Sequence, residues 1–195
     1  MRYILFHLLF VFSIFTSFAQ NSKVQFDLSA GFELPENVKL ETANAKGYNV
    51  SFDIKYYVHN HIYALGSVYT AKMKGKEPCL LYYDGEVFDG EKRNDLVNTF
   101  LGLGAGCDFL KIKRHTAYVQ ASFGIAAEYF DSEKQGNHIA ISEFEHRDYA
   151  IWGLVGKIGY SYRLNKWLGI GAAYNVNWFY YDISQGFQGG VQVYF

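Results

Sequence analysis

The chain has 195 residues and a formal net charge of -1. That balance argues against nucleic acid as a partner, and the length argues for one domain. Aromatic residues make up 19 % of the chain and there are 19 Gly against 2 Pro, a balance that favours strands and close backbone approach. Beyond the N-terminal segment no apolar run reaches the roughly 18 residues that a membrane-crossing helix needs.

That N-terminal segment reads as a targeting signal. Arg2 precedes an almost unbroken apolar run over 3–15, and Ser17-Phe18-Ala19 supplies small residues before Gln20. This is the pattern of a secretory signal peptide, 1–19, cleaved between Ala19 and Gln20. Residues 20–195 are then the folded domain. Export permits disulfides, but Cys79 and Cys107 fall at opposite ends of the pattern described below, so two free thiols are expected.

From here the chain repeats one device, side chains alternating between faces with period two. A first strand over 23–33 puts Val24, Phe26, Leu28, Ala30 and Phe32 on one face and Gln25, Asp27, Ser29 and Glu33 on the other. A polar stretch follows over 34–46. A second strand over 47–58 separates Tyr48, Val50, Phe52, Ile54 and Tyr56 from Asn49, Ser51, Asp53 and Lys55. A short turn holds His59 and His61. The third strand, 62–71, carries no charge on either face, so its parity stays open; Tyr63, Leu65 and Tyr69 are assigned outward. The long insertion over 72–95 contains Asp84-Gly85 between apolar runs, a hairpin signal. Its arms are too short to cross a bilayer, so a small separate hairpin outside the membrane is expected.

The fourth strand, 96–110, places Leu101, Leu103 and Phe109 on one face. Phe100, Gly102, Gly104, Gly106 and Asp108 lie on the other, where the glycines leave room for a large neighbour. The fifth, 116–129, sets Val119, Phe123, Ile125 and Tyr129 against Gln120, Ser122, Gly124 and Glu128. A polar loop is expected over 130–147. The sixth strand, 148–162, sets Trp152, Leu154, Ile158 and Tyr160 against Lys157. The seventh, 167–179, sets Ile170, Tyr174, Val176 and Trp178 against Asn175 and Asn177. The last, 187–195, ends the chain with Phe187, Val191, Val193 and Phe195 on one face.

Eight strands joined by alternately long and short connections place both termini at the short-turn end. Nearly every strand has one face free of charge, and Asp27, Asp53, Lys55, Glu128 and Lys157 all fall on the other. Aromatics cluster at both ends of the uncharged faces, with aliphatics between. A bilayer selects such twin belts at its two interfaces, and a soluble lipocalin-like barrel has no reason to sort aromatics by height. The expected fold is all-β: an eight-stranded antiparallel up-and-down transmembrane β-barrel with short periplasmic turns and long extracellular loops.

On these residues the chain resembles the outer-membrane β-barrel domain family, nearest the small eight-stranded OmpA/OmpX-like type, with PorT-like secretion-associated barrels as relatives. The resemblance covers 23–195. It implies a Gram-negative cell outer membrane, contact with outer-membrane lipid and lipopolysaccharide, and recognition of the terminal Val191, Val193 and Phe195 by the barrel-assembly machinery.

Chemistry is sparse. Eight strands leave an interior that side chains fill, so Asp27, Asp53, Lys55, Glu128 and Lys157 are expected to form a polar network in the lumen. The alternative is a narrow, porin-like transport route. A lipid-modifying enzyme would need His, Ser and an acid together; His138, Ser142 and Glu143 are the candidates, and the His-x-Ser arrangement of such enzymes is absent. No catalytic residue, cofactor or metal ligand is assigned, and the turn histidines His59, His61 and His115 are read as solvated. The leading expectation is a structural role, or contact with an extracellular or envelope protein partner through the long loops.

Overall fold

A computed structural model of the chain describes residues 23–35, 45–136, 142–179 and 182–195. The expected cleavage between Ala19 and Gln20 lies outside them. Eight strands form one closed antiparallel barrel in sequence order: β1 (Val24–Pro35), β2 (Lys46–Tyr57), β3 (Ile62–Tyr83), β4 (Glu86–Ile112), β5 (His115–Gly136), β6 (Ser142–Arg163), β7 (Leu168–Phe179) and β8 (Asp182–Tyr194). The first and last strands close the ring in register from Gln25↔Tyr194 to Pro35↔Ser184. Closure matters because hydrocarbon offers no partner to a free N–H or C=O, and a barrel has no edge.

Side chains sort as the alternation predicts. Leu28, Ile54, Leu103, Ile125 and Ile170 are exposed on the outside, Leu103 by 78 %. Asp27, Asp53, Lys55, Glu128 and Lys157 are all buried within. In water this would be an inverted protein; in lipid the exposed aliphatics are solvated and the charges are shielded. The outward aromatics form contacts along the wall, such as Trp152 on Trp178 with centroids 5.6 Å apart and Phe26 edge-on to Phe195 at 5.4 Å. Val191 is exposed on the same outer face.

The third strand reverses the expected parity. Tyr63, Leu65 and Tyr69 point inward and are almost wholly buried. The reason lies in the neighbouring strand. Register pairs Tyr63 with Gly106 and Leu65 with Gly104, and a Cβ on Gly106 would sit 2.3 Å from the Tyr63 ring. The glycine stripe does leave room for bulk, filled at Gly106 by Tyr63 of β3 and at Gly102 by Phe100 of β4 itself. Without a charge to mark either face, volume decides the orientation.

The long connections differ too. Residues 72–95 are not a separate hairpin beyond a loop. β3 and β4 run on without a break, in register from Ile62↔Cys107 to Tyr83↔Glu86. The Asp84-Gly85 turn is where expected, with φ of 50° and 81° as a type I′ turn requires. Likewise β5 and β6 continue through the expected loop at 130–147, in register to Gln135↔Ser142. Above the bilayer water replaces lipid on the outer face, so charges there no longer argue against a strand. β3 to β6 thus form a four-stranded sheet standing above the shorter β1, β2, β7 and β8. Cys79 and Cys107 are both free.

Replacing Leu103 with Arg should lower the unfolding free energy in lipid vesicles by about 2–4 kcal/mol, the cost of a cation facing the midplane. Urea titration followed by tryptophan fluorescence measures it. A loss below about 0.5 kcal/mol would place that face in water.

Candidate functional site

The lumen is filled in two storeys. Toward the short-turn end a polar network spans the barrel. Lys55 pairs with Asp27 at 2.7 Å, and Gln25 Nε2 donates to Asp27 Oδ1 at 2.6 Å. The Lys55 ammonium also lies 3.9 Å from the centre of the Tyr118 ring and 5.0 Å from that of Tyr63, so cation–π attraction supplements a single carboxylate. Lys157 Nζ donates to Asp53 Oδ2 at 2.7 Å and to Ser51 Oγ at 2.8 Å. Asp53 further accepts from Ser67 Oγ at 2.7 Å and Gln120 Nε2 at 2.8 Å, and Gln120 Oε1 accepts from Tyr63 at 3.0 Å. One carboxylate thereby ties together β2, β3, β5 and β6.

Four of the five residues expected in this network are joined in its two ion pairs. Glu128 is buried well beyond Gln120 along β5, pairing in register with Asn98 and Tyr149. Two further carboxylates take part. A bulge between Cys107 and Leu110 accompanies a buried Asp108, which accepts from Tyr57 at 2.9 Å and lies 3.6 Å from Lys111. Glu33, fully buried near the other end, is wrapped by neutral donors. Its Oε1 accepts from Asn177 Nδ2 at 2.7 Å and from Ser184, and its Oε2 from Asn49 Nδ2 at 2.6 Å and Asn175 Nδ2 at 3.3 Å. The inward Asn-x-Asn of the seventh strand was the sequence signal for this nest; pairing it with Glu33 required the closure between β1 and β8.

The second storey sets an apolar cluster beside the Glu33 nest, with Asn177 Nδ2 donating to the Tyr69 hydroxyl at 2.8 Å. Tyr69, Met73, Leu96, Phe100, Phe130, Val155 and Phe179 pack into one cluster, with the Phe100 and Phe179 rings 5.9 Å apart. Buried Asn98 lies between Leu96 and Phe100 along β4, so polar side chains are interleaved with this cluster.

Outside the membrane the β3–β6 sheet carries charged cross-strand contacts on its outer face. Lys74 meets Asp95 at 3.0 Å and Lys76 meets Glu91 at 3.3 Å. His146 contacts Asp131 at 2.5 Å through Nδ1 and Asp148 at 3.0 Å through Nε2. With a carboxylate at each ring nitrogen the imidazolium form is favoured, chiefly by the Asp131 hydrogen bond, and the pKa is raised above the usual histidine range. Of the enzyme candidates, His138 and the side chain of Ser142 lie outside the described residues, and Glu143 pairs with Lys134 at 3.0 Å. His61 Nδ1 lies 2.9 Å from the Asp108 carbonyl and His115 contacts Tyr160, so these two turn histidines are tied to neighbouring strands.

No family model and no curated protein sequence matches this chain. Solved structures do. Neisserial surface protein A is 18 % identical, with 88 % of this chain covering 96 % of that one at a TM-score of 0.52. Ail of Yersinia pestis, in complex with the heparin analogue sucrose octasulfate, is 15 % identical over 89 % of this chain and 99 % of its own, at 0.47. The N-terminal β-barrel domain of Pseudomonas aeruginosa OprF is 10 % identical over 88 % and 97 %, at 0.40.

Two outcomes test the geometry. Lys157→Met alone should destabilise the barrel by about 3–5 kcal/mol, because it strands the Asp53 carboxylate, and adding Asp53→Asn should recover much of that loss. Urea unfolding of the double-mutant cycle reads it; equal losses in single and double variants would deny the pairing. The raised His146 pKa makes its contribution to the sheet fully present below about pH 6.5, the unfolded value, and lost as pH rises through the folded one. An NMR titration of the imidazole should therefore give a midpoint above 6.5, falling back in Asp131→Asn. By closure, wall polarity and likeness to neisserial surface protein A, the chain has the fold of the small outer-membrane proteins: an eight-stranded transmembrane β-barrel.

Proposed function

We propose that the protein is a sealed membrane anchor that holds a four-stranded sheet in the medium for contact with a protein or surface partner. The carrying observation is the unequal strand length. β2 pairs with β3 only as far as Lys46↔Lys74, and β7 pairs with β6 only from Gly153↔Phe179, yet β3 and β6 run on past both points. A bilayer does not require that extension, and an exposed sheet costs conformational entropy to hold. Its upper part exposes Leu80, Tyr82, Tyr83, Val87 and Phe144. Apolar side chains on a rigid support form a recognition surface with little ordering left to do on contact.

Transport is disfavoured by the filled lumen. The proposal extends to biogenesis: Val191, Val193 and Phe195 end the strand that closes on β1, which suits them to be read by an assembly factor before closure.

Photo-crosslinking in intact cells tests the role. A crosslinker at Tyr82 or Phe144 should yield adducts that one at Leu103 does not, and a variant lacking residues 76–89 should still fold, as judged by heat-modifiable gel mobility. Adducts equal from all three positions would remove the sheet's claim. In planar bilayers the protein should carry no steady single-channel current; a steady current would overturn the sealed lumen.

A further inference from the structure

The short-turn mouth of the barrel holds a feature that neither anchoring nor the sheet explains. A cavity of about 340 Å³ opens there, lined among others by Lys23, Gln25, Tyr57, Lys111, Arg163 and Tyr194. Its floor is closed, because Gln25 is bonded to Asp27 and the Tyr57 hydroxyl lies within hydrogen-bond distance of Gln25 Oε1, at 3.1 Å, and Asp108 Oδ2, at 2.9 Å, with one proton to give. It is therefore a cup and not the entrance of a channel.

The charges around this cup do not cancel. Within the network beneath it, Asp27 is matched by Lys55, Asp53 by Lys157 and Asp108 by Lys111. That leaves Lys23 and Arg163, neither of which has a carboxylate side chain within ion-pair distance among the described residues. Arg163 is held in place by stacking, its guanidinium carbon 4.1 Å from the centre of the Tyr194 ring. The Phe195 backbone oxygen accepts from the Val24 N–H at 3.4 Å. The surrounding turns reinforce the imbalance: residues 58–61, 111–115 and 163–167 contain no Asp or Glu, yet carry Lys113, Arg114 and Lys166 besides the cavity's own cations. A concave wall of one sign over a low-dielectric interior focuses its field into the cup.

We propose that this mouth is a receptor for a doubly charged oxyanion of the phosphate class, free or as a small monoester. Two unmatched cations suit a dianion. The planar fork of Arg163 offers parallel N–H donors to two oxygens, and Lys23 adds a mobile point charge at the rim. The cup has room for a phosphate and a short substituent but no exit upward, so the anion is held there and not passed on.

Calorimetric titration of the refolded barrel in detergent micelles with inorganic phosphate, and separately with glycerol 3-phosphate, tests this. The expected result is saturable one-site binding that weakens as salt is raised. Arg163→Gln should weaken it about tenfold, as loss of one charge-assisted hydrogen bond does, and Lys23→Gln with Arg163→Gln together should abolish it. Lys166→Gln, outside the cup, should weaken it far less than Arg163→Gln, and Arg163→Lys should keep measurable binding, which separates loss of the site from loss of fold. Binding of both anions supports the site and admits an ester; binding of phosphate alone supports it and limits its size. No saturable heat, or equal binding by the double variant, overturns it. The sheet at the opposite end plays no part in this result.

Discussion

Hydrocarbon cannot satisfy a peptide group, and that single fact organises the molecule. Every strand within the bilayer must find a partner on both sides, so β1 must meet β8 and the sheet must close. Once it is closed, the pleat divides each strand into a lipid side and an interior side, and the sequence answers with two solvents in mind. Leu103 and Ile125 are left in the open, where a soluble protein would hide them. Lys55 and Lys157 are hidden, where a soluble protein would expose them.

The interior then faces the opposite problem. A buried charge is tolerable only with a counter-charge and enough hydrogen bonds around it. Asp53 meets that condition with Lys157, Ser67 and Gln120, and Asp27 with Lys55 and Gln25, whereas Glu33 has amide and hydroxyl donors without a counter-charge among the described residues. These contacts join strands far apart in sequence, such as β2 and β6 through Asp53 and Lys157. Beyond it Phe100, Phe130 and Phe179 pack with Tyr69, Met73 and Leu96 into one cluster. Beyond this interior the strand lengths diverge, at Lys74 on one side and Gly153 on the other.

Most of this was legible in the order of residues, because period-two alternation is a direct record of two environments. Seven strands show the parity read from their charged or polar faces. The third does not, since between Ile62 and Ala71 no charge marks a side; Gly106 of the neighbouring strand makes room for Tyr63, while Tyr69 stands opposite Phe100. The strand extensions were illegible for a related reason: once the outer face leaves lipid, Lys72, Lys74 and Lys76 look like a loop when read against a membrane rule. The ion pairs were half legible. Asp53 and Lys157 could be placed on inner faces, but their meeting depends on barrel stagger. Glu33 and Asp108 were read on inner faces, and the contacts that complete them come from a bulge and from the ring closure.

The claim beneath all of this is that lipid, not water, covers the face bearing Leu103. Methyl-resolved NMR of the barrel in nanodiscs, with a paramagnetic probe carried either on lipid chains or dissolved in water, tests it directly. The lipid-borne probe should broaden the methyls of Leu103, Ile125 and Ile170 while sparing Leu65 inside the barrel, and the aqueous probe should reach none of them. Broadening of Leu103 by the aqueous probe, or of Leu65 by the lipid-borne one, would contradict the account.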